Sequence, residues 1–269
     1  MKGLEEMTIK TKIGFFDSGI GGITVLNQAL KVLPMENYLY YADTKHVPYG
    51  EKSEAEVKQY VFQAVDFMAK KNVQAIVIAC NTATSVAAEE LRKQYDFPII
   101  GIEPAVKPAI EHRSEPEKRV LVLATRLTLQ EKRYHQLVAR LDSDHIADGL
   151  PLPGLVEFAE QFEFDEQVVL PYLEKELSVY DLNQYGTVVL GCTHFPLYKD
   201  MFRKLLPAHT EIIDGSMGTA MNLKRILESN SALLHTGSGQ VEYYLSGTKV
   251  EDKTQIKQYS ALFDRLNKM

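Results

Sequence analysis

VIACNTATS (residues 77–85) and VVLGCTHFPL (188–197) decide how this chain is read. In each, an apolar run of the length of one buried strand ends at a cysteine, followed at once by residues that cap helices and offer hydroxyl, amide or N–H donors. These are the only two cysteines among 269 residues. In parallel α/β sheets, ligands bind beyond the carboxyl ends of the strands, where loops and helix N-termini converge. Both thiols are therefore expected at a ligand-binding edge. A lone cysteine at a strand end is most often a small buried hydrophobe, but two in matching settings, one in each half, call for a chemical reason. The helix end after each would favour thiolate, lowering the pKa from its ordinary value of about 8.5.

Working outward, short runs rich in Val, Ile, Leu and Tyr alternate with stretches of helical period, the pattern of a parallel sheet with crossover helices. Strands are expected near 12–16, 38–42, 75–79, 98–102, 119–124, 187–191 and 211–214. Helices are expected near 22–32, 54–70, 83–94, 128–141, 166–178, 196–205 and 217–228. Ser53 stands as a cap with Glu56 at capping-box spacing, and Val57, Val61, Val65 and Met68 then recur at three or four residues. The polar, Pro-containing EHRSEPEKR (111–119) reads as a connector between halves, and HTGSG (235–239) as a turn. Across the connector the layout repeats. Cys80 follows Asp17 by 63 residues and Cys192 follows Thr125 by 67, which suggests two similar α/β units.

Composition narrows the role. A chain 45% hydrophobic and 25% charged has the makings of one large or two modest globular domains. A net charge of -6 with no long basic cluster argues against a nucleic-acid surface. MKGLEEMTIK lacks a signal-peptide core, and the longest apolar runs are far below a bilayer span, so a cytoplasmic protein with no membrane partner is expected. In that reducing compartment both cysteines would be thiols.

DSGIGG (17–22) invites a nucleotide reading, but G-x-G-x-x-G would need Gly or Ala where Thr24 stands, and no G-x-x-x-x-G-K-[ST] follows. A tight turn of small residues is the plainer account. Asp17 at its head would face Cys80's crevice if the two strands are neighbours, and could orient a thiol or hold an ammonium group. His194 lies two residues after Cys192, either as a helix-cap residue or as an acid/base partner. Tyr49-Gly50, after Pro48, forms a Pro-anchored turn whose phenol and N–H could bind a carboxylate. Glu157, in LVEFAE, sits at helical spacing. No H-E-x-x-H or Cys/His ligand spacing implies a metal.

Together DSGIGG, PYG (48–50), ACNTA (79–83), T-x-x-T (Thr125, Thr128), LVE (155–157) and GCTHFP (191–196) resemble the glutamate racemases of the cofactor-independent amino-acid racemase superfamily, over roughly residues 12–215. The resemblance implies two pseudo-symmetric α/β domains with the active site in the cleft between them, residues 8–104 with 215–269 as one and 105–214 as the other. It implies no cofactor, Cys80 and Cys192 as acid/base thiols, Asp17 assisting Cys80, and His194 and Glu157 assisting on the other side. Ser18, Tyr49, Gly50, Asn81, Thr82, Thr125 and Thr193, with Asp17 and His194, would hold the amino acid. A homodimer and a role in supplying D-glutamate for peptidoglycan are further implications. Ala124 replaces the family's Gly before T-x-x-T, and Gly149-Leu150-Pro151 replaces a common Cys-Pro upstream of Glu157.

The chemistry agrees. Racemisation removes a proton from one face of the α-carbon and delivers one to the other, which two thiols on opposite walls accomplish, since thiol pKa values lie near enough to neutrality for either state. Two other readings stay open at this level: a related two-thiol isomerase acting on aspartate, a hydantoin or a small dicarboxylate, and a non-catalytic amino-acid-binding regulatory protein.

Overall fold

The computed structural model describes residues 12–112, 115, 117–141, 146–230, 233 and 237–269. The strand leading to Cys80, VQAIVI, is buried at every position, as a continuous apolar run should be when helices cover both faces of a parallel sheet. Around it the first half runs β1 (Lys12–Asp17), α1 (Ile23–Val32), β2 (Asn37–Ala42), α2 (Glu54–Ala69), β3 (Val73–Ile78), α3 (Asn81–Gln94) and β4 (Ile99–Gly101). The second half runs α4 (Val106–Glu111), β5 (Arg119–Ala124), α5 (Arg126–Gln130), α6 (Lys132–Leu141), β6 (Ala147–Pro151), α7 (Pro153–Glu160), α8 (Glu166–Leu177), β7 (Tyr185–Leu190), α9 (Lys199–Leu205) and β8 (Glu211–Asp214). The chain closes with α10 (Ser216–Ser229), β9 (Val241–Leu245), β10 (Thr248–Lys249) and α11 (Lys253–Lys268).

Two sheets result, ordered β10-β9-β2-β1-β3-β4 and β6-β5-β7-β8, with every pairing parallel except β9 with β10. The order β2-β1-β3-β4 recurs as β6-β5-β7-β8, so the internal repeat is real. Register sharpens it. Phe16 pairs with Ile78 and Leu123 with Leu190, and each cysteine stands two residues beyond the second partner. Asp17 is thereby equivalent to Ala124, and Ser18 to Thr125. This corrects by one residue the spacing that set Asp17 against Thr125. The C-terminal segment returns to the first sheet, where β9 pairs with β2, and α10 and α11 pack on α1.

Local chemistry explains most elements. Ser53 and Glu56 form the expected reciprocal cap of α2, whose Val57, Val61, Val65 and Met68 are buried. The helix expected over 128–141 is two helices, because Glu131 adopts an extended backbone between α5 and α6. The strands not expected, β6 (ADGLP), β9 (VEYYL) and the two-residue β10, lie at or near sheet edges, where Asp, Gly, Pro and Glu break the apolar pattern of the first two. Among the described residues, no helix is long and apolar enough to cross a membrane. The N-terminal stretch read above, residues 8–11 of the expected first unit, parts of the 111–119 connector and residues 235 and 236 of HTGSG lie outside the described residues.

Candidate active site

Cys80 is the N-cap of α3, and its sulfur accepts the Ala83 N–H at 3.4 Å while its thiol donates to Ser18 Oγ at 3.7 Å. Cys192 occupies the equivalent place after β7, but a 3-10 turn (Phe195–Tyr198) follows instead of a long helix, with His194 as its N-cap. The His194 Nδ1 lies 3.6 Å from Cys192 Sγ. Both cysteines are 5% exposed and line one cleft with Ser18, Tyr49, Gly50, Asn81, Thr82, Thr125, Val156, Thr193 and His194. Every substrate-binding residue expected from the sequence except Asp17 is in that lining. Asp17 stands directly behind it, fully buried, with Ser18 Oγ donating to its Oδ1 at 3.2 Å.

The walls are closed upon each other. Thr82 Oγ1 lies 3.0 Å from Thr125 Oγ1 and 3.2 Å from Thr128 Oγ1, and Thr125 Oγ1 donates to Thr128 Oγ1 at 2.9 Å. Thr24 Oγ1 donates to the Thr193 carbonyl at 3.0 Å. A volume of about 20 Å³ remains in the cleft, room for about one water. An amino acid enters only when the walls part and these hydroxyl contacts exchange. A larger cavity of about 320 Å³ lies behind Asn81 and Thr128, but neither sulfur lines it. The thiols therefore locate the chemistry in the smaller one.

The carboxylate that supports His194 is Glu160, not Glu157. Its Oε1 lies 2.6 Å from His194 Nε2 and also accepts the Ile20 N–H at 2.7 Å, bridging the two halves. The cause is helical geometry. Leu155, Val156 and Ala159 are the buried residues of α7; at about 100° per residue Glu157 points nearly opposite to them and is exposed, whereas Glu160 stands at the edge of their face. The LVEFAE periodicity contains this distinction. Glycines at DSGIGG answer to the same crowding: a Cβ on Gly19 would lie 1.8 Å from Glu160 Oε1, and one on Gly21 2.5 Å from His194 Nδ1. The turn is small because the opposite wall meets it, which disposes of the phosphate reading.

Electrostatics differs between the thiols. Burial, then the neighbouring Asp17, pushes Cys80 up to about 12, so it rests as a thiol. Burial likewise raises Asp17, against the opposing pull of His194. For His194 burial works against the charged form, yet the Cys192 sulfur and Glu160 override it and hold the imidazole protonated, well above its ordinary pKa. Cys192 therefore has an imidazole as its neighbour, where Cys80 has a carboxyl. Among the described residues, Asp17 Oδ2 and Asn81 Oδ1 are buried acceptors without a hydrogen-bond donor. Tyr49 lines the cleft, but its hydroxyl differs from expectation, since it donates to Asp43 Oδ2 at 2.6 Å. Among the described residues, no group of three or more His, Cys, Asp or Glu is arranged to hold a metal.

The chain resembles known proteins in sequence and in fold. The model of the Asp/Glu/hydantoin racemase family matches residues 24–220. Glutamate racemase 2 of Bacillus subtilis (strain 168) is 56% identical over 256 residues, spanning 95% of this chain and 96% of that protein. The structure of Escherichia coli glutamate racemase with L-glutamate and the activator UDP-MurNAc-ala aligns with a TM-score of 0.77 at 31% identity, covering 90% of this chain and 99% of that one. That of the Francisella tularensis enzyme with D-glutamate aligns with a TM-score of 0.78 at 26% identity, covering 94% and 93%. The two thiols at equivalent strand ends, the doubled sheet order and these likenesses agree: the chain belongs to the Asp/Glu/hydantoin racemase family and, within it, to the glutamate racemases.

Proposed function

We propose that this cleft interconverts L- and D-glutamate by proton exchange between Cys80 and Cys192. One observation carries the reading: two cysteines, each two residues past equivalent strands of a repeated sheet, line one closed cleft. In the L-to-D direction the Cys192 thiolate takes the α-proton, so that the C–H bond breaks as an S–H bond forms. Cys80 then delivers its own proton to the opposite face and is left as thiolate. The reverse direction exchanges the roles, with Cys80 serving D-glutamate as the family resemblance implies.

The resting electrostatics supports this order, since Cys80 begins as thiol and Cys192 beside an imidazolium. The buried acceptors Asp17 Oδ2 and Asn81 Oδ1 suit the substrate's ammonium. Hydroxyls of Ser18, Thr82, Thr125 and Thr193, the Gly50 backbone and the N–H groups opening α3 suit its carboxylates and the charge that develops beside them. His194, with Glu160 behind it, assists Cys192, while Asp17 assists Cys80. The parting units are residues 8–104 with 215–269, and 105–214. In the cell the product is D-glutamate for peptidoglycan, made in the cytoplasm by a homodimer; light scattering after size exclusion tests the dimer.

Incubation with L- or D-glutamate and with aspartate in heavy water, without added cofactor, tests the reading. Loss of the α-proton signal with decay of optical rotation toward zero is expected from either glutamate enantiomer. Saturable binding with no exchange would leave a binding protein, and faster exchange with aspartate would move the substrate assignment.

A further inference from the structure

Asp43 follows β2 directly and is buried at 3% exposure, although it lies outside the cleft lining. Its N–H donates to the Asp17 carbonyl at 3.0 Å, which ties it to the strand end beside Cys80. Its carboxylate gathers partners from three residues on two segments. Tyr49 Oη donates at 2.6 Å, Ser246 Oγ donates at 2.8 Å, and His46 Nδ1 lies 2.8 and 2.9 Å from its two oxygens. His46 in turn stacks on Tyr60, with ring centroids 3.8 Å apart and planes at 9°.

Ser246 is the far anchor. It sits at the β9–β10 turn with φ +42°, donates its N–H to the Ala42 carbonyl at 2.8 Å, and accepts the Lys45 N–H at 3.1 Å. The segment between Asp43 and Tyr49 has no ladder of its own, so this node supplies what regular structure does not. What it holds matters for the cleft. Tyr49 and Gly50 line it, and Gly50 packs so tightly on the other half that a Cβ there would lie 2.6 Å from Thr125 Cβ.

Burying a carboxylate is costly unless its oxygens are filled with donors. Packing alone would be met as well by an apolar side chain. We propose that Asp43 is a positioning residue of the active site: through the Tyr49 hydroxyl it sets where Gly50 closes on the substrate and Thr125, and through Ser246 it makes the C-terminal strand pair part of that support. The inference rests on the cleft being the glutamate site proposed above.

The test is steady-state kinetics in both directions on the full-length protein, with melting temperatures alongside, for Asp43→Asn, Tyr49→Phe, their double variant and Ser246→Ala. Tyr49→Phe keeps the ring and removes only the donor. A contact that closes the loop equally on substrate and transition state raises KM and spares kcat. The expected result is a KM raised about tenfold for both enantiomers in either single variant, with kcat within about threefold. The double variant should be no worse than the weaker single, because both remove one coupled interaction. Ser246→Ala, at a surface turn, should raise KM by about two- to threefold and keeps the test valid if Asp43→Asn does not fold. Unchanged KM in Tyr49→Phe and Ser246→Ala, or additive effects in the double variant, overturns the proposal. A wild-type protein that does not racemise glutamate overturns the functional reading instead, so the two failures are distinct.

Discussion

Cys80 and Cys192 are equivalent by strand order and register, yet each is served from a different place. On the first side the neighbouring ionisable group is Asp17, at the end of β1, where the second side has Ala124. On the second side it is His194, two residues past the thiol, where the first side has Thr82. The backbone after each differs accordingly: α3 begins immediately after Cys80, while a 3-10 turn with Pro196 places His194 beside Cys192. A repeated fold thus fixes the opposition of two sulfurs, and unrepeated side chains give each a different ionisable neighbour. One wall rests as thiol beside a carboxyl and the other beside an imidazolium.

The largest effect should come from removing either sulfur. Cys80→Ala and Cys192→Ala are each expected to lower racemisation by at least about 10³-fold, the scale of an acid/base group in a proton transfer, with circular dichroism unchanged. Substantial activity in either one would end the two-base account. Cys→Ser variants sharpen the comparison, because exchange in heavy water should survive with one enantiomer only, L-glutamate for Cys80→Ser and D-glutamate for Cys192→Ser. Exchange of both enantiomers in one variant would show that a single wall serves both faces.

Asp17→Asn should separate activity from stability. We expect kcat for D-glutamate to fall about 10²-fold as Cys80 loses its partner. Stability should rise, since the fully buried carboxyl has a raised folded pKa. The sign follows from proton linkage: the folded state holds this proton more tightly, so stability is greatest below the unfolded value of 3.8 and declines as pH climbs toward the folded one. The amide removes that decline. Relief of about 1 kcal/mol corresponds to a Tm higher by about 2–4 °C at neutral pH for a chain of this size. A Tm that falls would mean that the carboxylate is satisfied and stabilising.

Glu160→Gln addresses the other wall. Without the carboxylate the His194 imidazolium loses a partner, its pKa falls, and the alkaline limb of the pH–rate profile should move to lower pH. A loss of about tenfold in kcat should accompany the shift, whereas exposed Glu157→Gln should stay within about twofold. The opposite ranking would restore Glu157.

How much of this was legible follows from the same residues. The parallel sheets, the cysteines and the lining residues were readable because buried strands are continuous apolar runs and the motifs sit at their ends. β6 and β9 were not, because Asp, Gly and Pro in edge strand β6, and Glu in β9 next to the edge, break the apolar pattern. Glu160 was hidden behind a motif match at Glu157, although the helical period of α7 distinguishes the two. Asp43 and Ser246 carry no local signal at all; 203 residues separate them, and only the pairing of β2 with β9 brings them together.

The smallest expected effect lies at Ala124, the residue that stands where the first half has Asp17. Its methyl is fully buried, and a Cβ on Gly191 would lie 3.2 Å from it and 2.9 Å from the Leu123 carbonyl. Ala124→Gly, which installs the residue usual in the family, removes that methyl and adds chain entropy to the unfolded state. A loss of about 1 kcal/mol follows, or about 2–4 °C in Tm, with kcat and KM within about twofold in both directions. The two strand ends would then divide cleanly, the first carrying chemistry and the second only packing. A pronounced fall in kcat, measured with the L enantiomer that the proposal assigns to Cys192, would break that division and show the end of β5 shaping the second thiol's environment.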